Sequence, residues 1–213
     1  MDADLLRLLL TAFVTLLVVV DPIGVAPMFV AMTHAQPEEA RRTTLARAVF
    51  IALVVTLFFL LAGRALLQLL GVTVHAFAIS GGILLFATAM PMLFGHRPVL
   101  QGPEHGQVGR EGDDVAVFPL AIPLLCGPGA IASVLLLASR AESTRGGTFA
   151  LVAATVAVYA VSWAVLRAAD ALMHRLGEQR IHIVTRVLGL ILAALAVQFV
   201  LDGIAQYYAT LRR

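Results

Sequence analysis

The stretch Leu8–Thr33 reads L-L-L-T-A-F-V-T-L-L-V-V-V-D-P-I-G-V-A-P-M-F-V-A-M-T. At about 1.5 Å rise per residue it is long enough to cross a bilayer as a helix. Its middle, however, holds Asp21, Pro22, Gly24 and Pro27. Pro22 cannot donate to the Val18 carbonyl, nor Pro27 to that of Ile23. In hydrocarbon such freed carbonyls need a partner, so the interruption must be buried in protein or face a wet cavity. A carboxylate at that depth adds about 2.5 kcal/mol or more, a cost usually tied to function. The interruption is therefore the candidate working site.

Composition agrees with a membrane chain. The 213 residues are 60% hydrophobic and 13% charged, with a mean hydropathy of +0.93. Soluble domains carry about 25% charged residues. Long apolar runs without alternation point to helices rather than a barrel. The sequence pI of about 9.2 does not imply nucleic acid, because the basic residues sit in short loops between apolar segments, as membrane topology requires. A single cysteine, Cys126, excludes an intrachain disulfide and a multi-thiolate metal site. The 6 histidines show no ligand spacing. No cofactor or metal is expected. The acidic start and the length of the first apolar run argue against a cleaved signal peptide.

Six apolar segments can be marked, at 8–32, 48–70, 76–95, 117–139, 148–168 and 187–208. The second carries Arg64, read as snorkelling to an interface. The third contains Ser80, Gly81, Gly82 and Thr88, small residues that let helices approach closely. The polar, Gly/Pro-rich stretch 96–117 reads as a linker between two units, 1–95 and 118–213. The fourth segment repeats the anomaly of the first, with Pro119, Pro123, Gly127, Pro128 and Gly129 inside an apolar span. A basic connection precedes the sixth and reads as a helical extension into water. The sixth holds Gly189, Gln198 and Asp202, the last near its end.

The two units are related. An offset of 106 lays Pro22 on Pro128, Ala48 on Ala154 and Gly71 on Gly177; one further residue lays His75 on His182 and Gly82 on Gly189. Each unit has three spans, so the second enters the membrane from the opposite side. The fold expected is an all-α membrane protein of six transmembrane helices in two inverted three-helix repeats, with the first and fourth helices broken at Pro/Gly. Interrupted helices at matching places in two such halves are the best sequence pointer to a transporter's midplane site. Arginines 41, 42, 47, 97, 110, 167, 175, 180 and 186 lie on one side, against 7, 64, 140, 145, 212 and 213 on the other. That balance puts the first set in the cytoplasm and both termini outside.

Broken helices offer complementary ends. The N–H groups of Gly24, Val25, Gly129 and Ala130 can hold an anion, and the carbonyls of Val18, Ile23 and Leu124 can accept from an ammonium. A small zwitterion matches both, although a small ion or other polar solute fits nearly as well. Asp21 has three roles open to it: counter-charge for the solute, proton carrier, or cap of the helix that Pro22 begins. Cys126 reads as a packing residue beside the turn.

The segments V-D-P-I-G-V-A-P-M-F, I-S-G-G-I-L-L-F, F-P-L-A-I-P-L-L-C-G-P-G-A-I and G-L-I-L-A-A-L-A-V-Q-F-V-L-D-G-I resemble the signature segments of the MarC (UPF0056) family of bacterial inner-membrane proteins. The resemblance covers essentially the whole chain. It implies two inverted three-helix repeats and transport of small neutral amino acids such as glycine and alanine, as in SnatA-like members. It places substrate at Asp21, Pro22, Ile23 and Gly24 and at Cys126, Gly127, Pro128 and Gly129. Gly81, Gly82, Thr88, Gly189 and Gln198 are expected to flank that site. Val25 stands where the family motif often has Asn, which removes a polar ligand.

The leading expectation is a secondary transporter or exporter, with proton coupling at Asp21, since no Walker A motif is present. Its partners are a small neutral amino acid and the lipid bilayer, with a second copy of the chain as a further candidate. The alternatives are a passive channel or a carrier of another small polar solute. An intramembrane acid pair of Asp21 and Asp202 is a weaker reading, because the G-x-G-D and G-x-S-x-G contexts are missing. The chain is not expected to be an enzyme.

Overall fold

A computed structural model describes residues 3–94, 115–142 and 144–211. The linker expected at 96–117 therefore lies outside the described residues except for its last three, as do Arg97, Arg110, Arg212 and Arg213. Among the described residues the chain is helical and forms no strand: α1 (Ala3–Val20), α2 (Pro22–Thr33), α3 (Glu38–Leu69), α4 (Val74–Phe94), an irregular wide-turned segment (Ala116–Leu125), α5 (Pro128–Ala141), α6 (Gly147–Arg167) and α7 (Ala169–Leu211). Five stretches are long and apolar enough to cross a bilayer: Asp4–Thr33, Glu38–Leu69, Val74–Phe94, Gly147–Arg167 and Ile183–Thr210. The pair Ala116–Leu125 and Pro128–Ala141, bent by 53°, makes a sixth if taken as one span.

The two interruptions differ in kind. Between α1 and α2 only Asp21 leaves the helix, into the left-handed region at φ 44°, ψ 62°. Its N–H still donates to the Leu17 carbonyl at 3.0 Å, and its carbonyl accepts from the Val25 N–H at 3.0 Å. The first span is thus broken at one residue without the strong bend of the fourth. The fourth is broken throughout. Proline at 119 and 123 removes donors, Phe118 and Ile122 are extended, and Cys126 and Gly127 separate the segment from α5. The basic connection between the fifth and sixth spans is helical, as the first half of α7. At 43 residues α7 is about 65 Å long, more than twice the hydrocarbon thickness.

Packing follows from small residues spaced by helical turns. On α3, Ala48, Ala52, Thr56 and Leu60 share the buried face, and on α1 Ala12, Leu16 and Val20 do so. The closest seam joins α4 and α7. A methyl on Gly82 would meet the Ala196 carbonyl oxygen at 2.6 Å, one on Gly189 would meet Met92 at 2.8 Å, and one on Gly203 the His75 carbonyl oxygen at 2.9 Å. In lipid, where no hydrophobic force drives helices together, such close approach supplies the attraction. Residues near the start of α4 thus meet the end of α7, so the two run antiparallel. The same holds for α3 and α6, through Thr56 with Tyr159 and Arg64 with Glu142 just past α5. Most packing joins the first half to the second: α4 to α7 and α5, α1 to α6 and α5, α3 to α5, α6 and the irregular segment, and α2 to α6 and α7.

Charged pairs sit at the rims. Arg41 pairs with Asp170 while its guanidinium lies 5.0 Å from the Phe29 ring centre. Arg64, read from sequence as a snorkelling residue, pairs with Glu142. Arg140 pairs with Asp202, which also accepts from the Gln198 amide at 2.8 Å.

Candidate functional site

Each interruption must satisfy its own main chain, and the two do so differently. At the first, Asp21 caps α2. Its Oδ1 accepts from the Gly24 N–H at 3.0 Å, with Pro22 at the first helical position. The sequence reading had the N–H groups of Gly24 and Val25 free for an anion. Both are taken, by the carboxylate and the carbonyl of Asp21. A helix start this tight leaves no donor on those two residues. A methyl on Gly24 would run into the Asp21 carboxylate, so a larger residue there has to displace the cap.

At the second interruption, the Ala130 and Ile131 N–H groups both donate to the Gly127 carbonyl, at 3.0 and 3.2 Å. Ala130 is therefore also not a free donor. Among the described residues no main-chain acceptor faces the N–H of Gly127 or Gly129. The Leu125 carbonyl, freed by the break, accepts from the Tyr159 hydroxyl at 3.2 Å. That hydroxyl lies 2.6 Å from the Thr56 hydroxyl, which is 3.3 Å from the Cys126 sulfur. Thr56, Cys126 and Tyr159 are all buried, so this small polar set fixes the break from its protein side.

The two interruptions wall one cavity of about 320 Å³. Of the expected site residues, Asp21, Gly24, Gly127, Pro128 and Gly129 line it, and so does Thr88. Pro22, Ile23 and Cys126 sit beside it without forming its wall. Gly81 packs on Ala132, and Gly82 and Gly189 belong to the α4–α7 seam. Gln198 is exposed and serves Asp202. Asp202, committed to Arg140 and Gln198, does not face the cavity with Asp21. Val25 is also part of the wall.

Sequence reasoning missed Thr185 and Arg186, which line the cavity from α7. Arg186 had been counted only as a topology residue. Asp21 and Arg186 are the charged side chains of the wall, Thr88 and Thr185 supply hydroxyls, and the other lining side chains are apolar. Thr88 spends its hydroxyl proton on the Leu85 carbonyl at 2.7 Å. The volume is at the low end of the roughly 300–1,000 Å³ usual for ligand pockets, which suits a solute of few atoms. Among the described residues no cluster of His, Cys, Asp and Glu could hold a metal ion.

Comparison with known proteins gives a consistent picture. The model of a family described as "MarC family integral membrane protein" matches residues 6–208. The UPF0056 membrane protein MJ1677 of Methanocaldococcus jannaschii is 33% identical over 199 residues, 93% of this chain and 97% of that one. The UPF0056 membrane protein PYRAB13050 of Pyrococcus abyssi is 36% identical over 203 residues, 94% and 96% of the two chains. The UPF0056 inner membrane protein YhgN of Escherichia coli K12 is 34% identical over 200 residues, 93% and 97%. No solved structure matches the chain.

Proposed function

The chain belongs to the MarC family of multi-pass integral membrane proteins, and from that premise we propose that it is a secondary transporter of small neutral amino acids of the glycine and alanine type. The observation that carries this reading is the single cavity walled by both interruptions. It is small, it presents Asp21 to an ammonium, and it presents the unpartnered N–H groups of Gly127 and Gly129 to a carboxylate. A carrier rather than an enzyme or a channel is the reading that a cavity this small between two broken helices supports, and proton coupling falls to Asp21.

Two inverted three-helix repeats belong to the same proposal, and the packing supports them. A two-fold axis in the membrane plane pairs each contact with a counterpart: α1 on α6 with the irregular segment and α5 on α3, and α4 on α5 with α7 on α2. It also makes the equivalent helices α3 and α6, and α4 and α7, antiparallel, as they are. Leu85 and Leu192, equivalent at the offset that relates Gly82 to Gly189, both line the cavity. In this arrangement the loops after α2 and α6 face the cytoplasm and both termini lie outside.

The test is uptake of labelled glycine or alanine by proteoliposomes. Wild type accumulates label, and Asp21→Asn lowers the rate roughly tenfold or more, the usual worth of a lost charged hydrogen bond. Asn caps a helix about as well as Asp, so this substitution removes the charge and keeps the start of α2. Wild-type vesicles that take up none of the small amino acids would overturn the proposal.

A further inference from the structure

We infer that Arg186 is a specificity-determining residue that binds the carboxylate of the solute, so that the substrate class is a zwitterion with a free carboxylate rather than an amine, an alcohol or a sugar. The inference rests on the reading of the cavity as a solute site and names the chemistry that site selects.

The argument begins with charge. Two charged side chains of opposite sign line the cavity, Asp21 from the α1–α2 junction and Arg186 from α7. Neither pairs with a described residue of opposite charge. The other rim arginines described above have carboxylate partners: Arg41 has Asp170, Arg64 has Glu142 and Arg140 has Asp202. Arg186 is the arginine that lines the cavity, and it shares that wall with the Asp21 carboxylate. A guest with a single charge would engage one of the two groups and leave the other, Arg186 being exposed and Asp21 half-buried, without a partner. A guest carrying both charges satisfies both.

Geometry of the side chain points the same way. The planar guanidinium presents parallel N–H groups that match the two oxygens of a carboxylate, which a hydroxyl or amide does not offer. Thr185 puts a hydroxyl beside it on the same wall, and Gly127 and Gly129, whose N–H groups have no main-chain acceptor among the described residues, line the same cavity. The carboxylate end therefore has its donors supplied by α7 and by the start of α5. The ammonium end has Asp21.

The test is isothermal titration calorimetry on the full chain in phosphatidylcholine nanodiscs, with glycine, glycinamide and ethylamine as titrants. Wild type binds glycine at least about tenfold more tightly than glycinamide or ethylamine, neither of which carries a carboxylate. Arg186→Gln weakens glycine about 10- to 100-fold and leaves glycinamide unchanged, so the preference disappears. Arg186→Lys, which keeps the charge without the fork, falls between the two. Arg186→Gln that binds glycine as wild type does overturns the inference and leaves the transporter proposal standing. Wild type that binds no small amino acid overturns both. A difference between wild type and Arg186→Gln that arises only when phosphatidylglycerol is added assigns Arg186 to a lipid headgroup and overturns the inference as well.

Discussion

Asp21 and Tyr159 are the two residues on which the interruptions turn. Asp21 adopts a left-handed backbone that only a few side chains tolerate, Asp among them. Its Oδ1 then satisfies the Gly24 amide, while the residue lines the cavity. Capping and the proposed solute contact are therefore compatible roles for one group, since the cap uses one carboxylate oxygen. Tyr159 acts from behind the second break, where its hydroxyl meets the freed Leu125 carbonyl. Tyr159→Phe removes that hydrogen with little change of shape. It should cost about 1–3 kcal/mol, since a buried carbonyl is left without a donor, read as a lower melting temperature in detergent. Unchanged stability in Tyr159→Phe would mean that the Leu125 carbonyl does not depend on this hydroxyl.

At the scale of the helix, proline and glycine made the breaks legible in sequence, because their effects are local. A proline lacks its N–H wherever the chain goes, so the run from Pro119 to Gly129 could not be a smooth span. The α4–α7 seam was only partly legible. Gly81, Gly82 and Gly189 stood out as small residues, yet nothing local distinguishes a glycine on a helix seam from one beside a solute. Arg186 was hidden for a similar reason: its neighbours resemble those of every loop arginine, and only the fold turns it toward the cavity. Thr56 and Tyr159 are 103 residues apart, a separation that no motif spans. The seam itself is testable. Gly82→Ala places a methyl against the Ala196 carbonyl and Val200, and overpacking of this sort costs about 1–3 kcal/mol. Thermal unfolding should show the loss, whereas Gly71→Ala, at a left-handed position with open space around it, reports backbone strain alone and serves as the contrast.

For the molecule as a whole, the claim to check is the proposed sidedness of its five spans and of the bent pair taken as a sixth. Single cysteines introduced at His34 and Ala168 in a Cys126→Ala background should react with an impermeant maleimide from one face of sealed vesicles. Those at Val72 and Thr144 should react from the other. Reaction of all four from one side would be incompatible with two inverted halves. The packing between the halves has a consequence for biogenesis. Helices α1 to α4 are synthesised before the α5, α6 and α7 surfaces against which they mainly pack. Until α7 emerges, the Gly82 side of α4 lacks the helix it packs against. Assembly must therefore be late and nearly all-or-none, and a chain truncated ahead of α7 should persist as an orphan that membrane proteases clear.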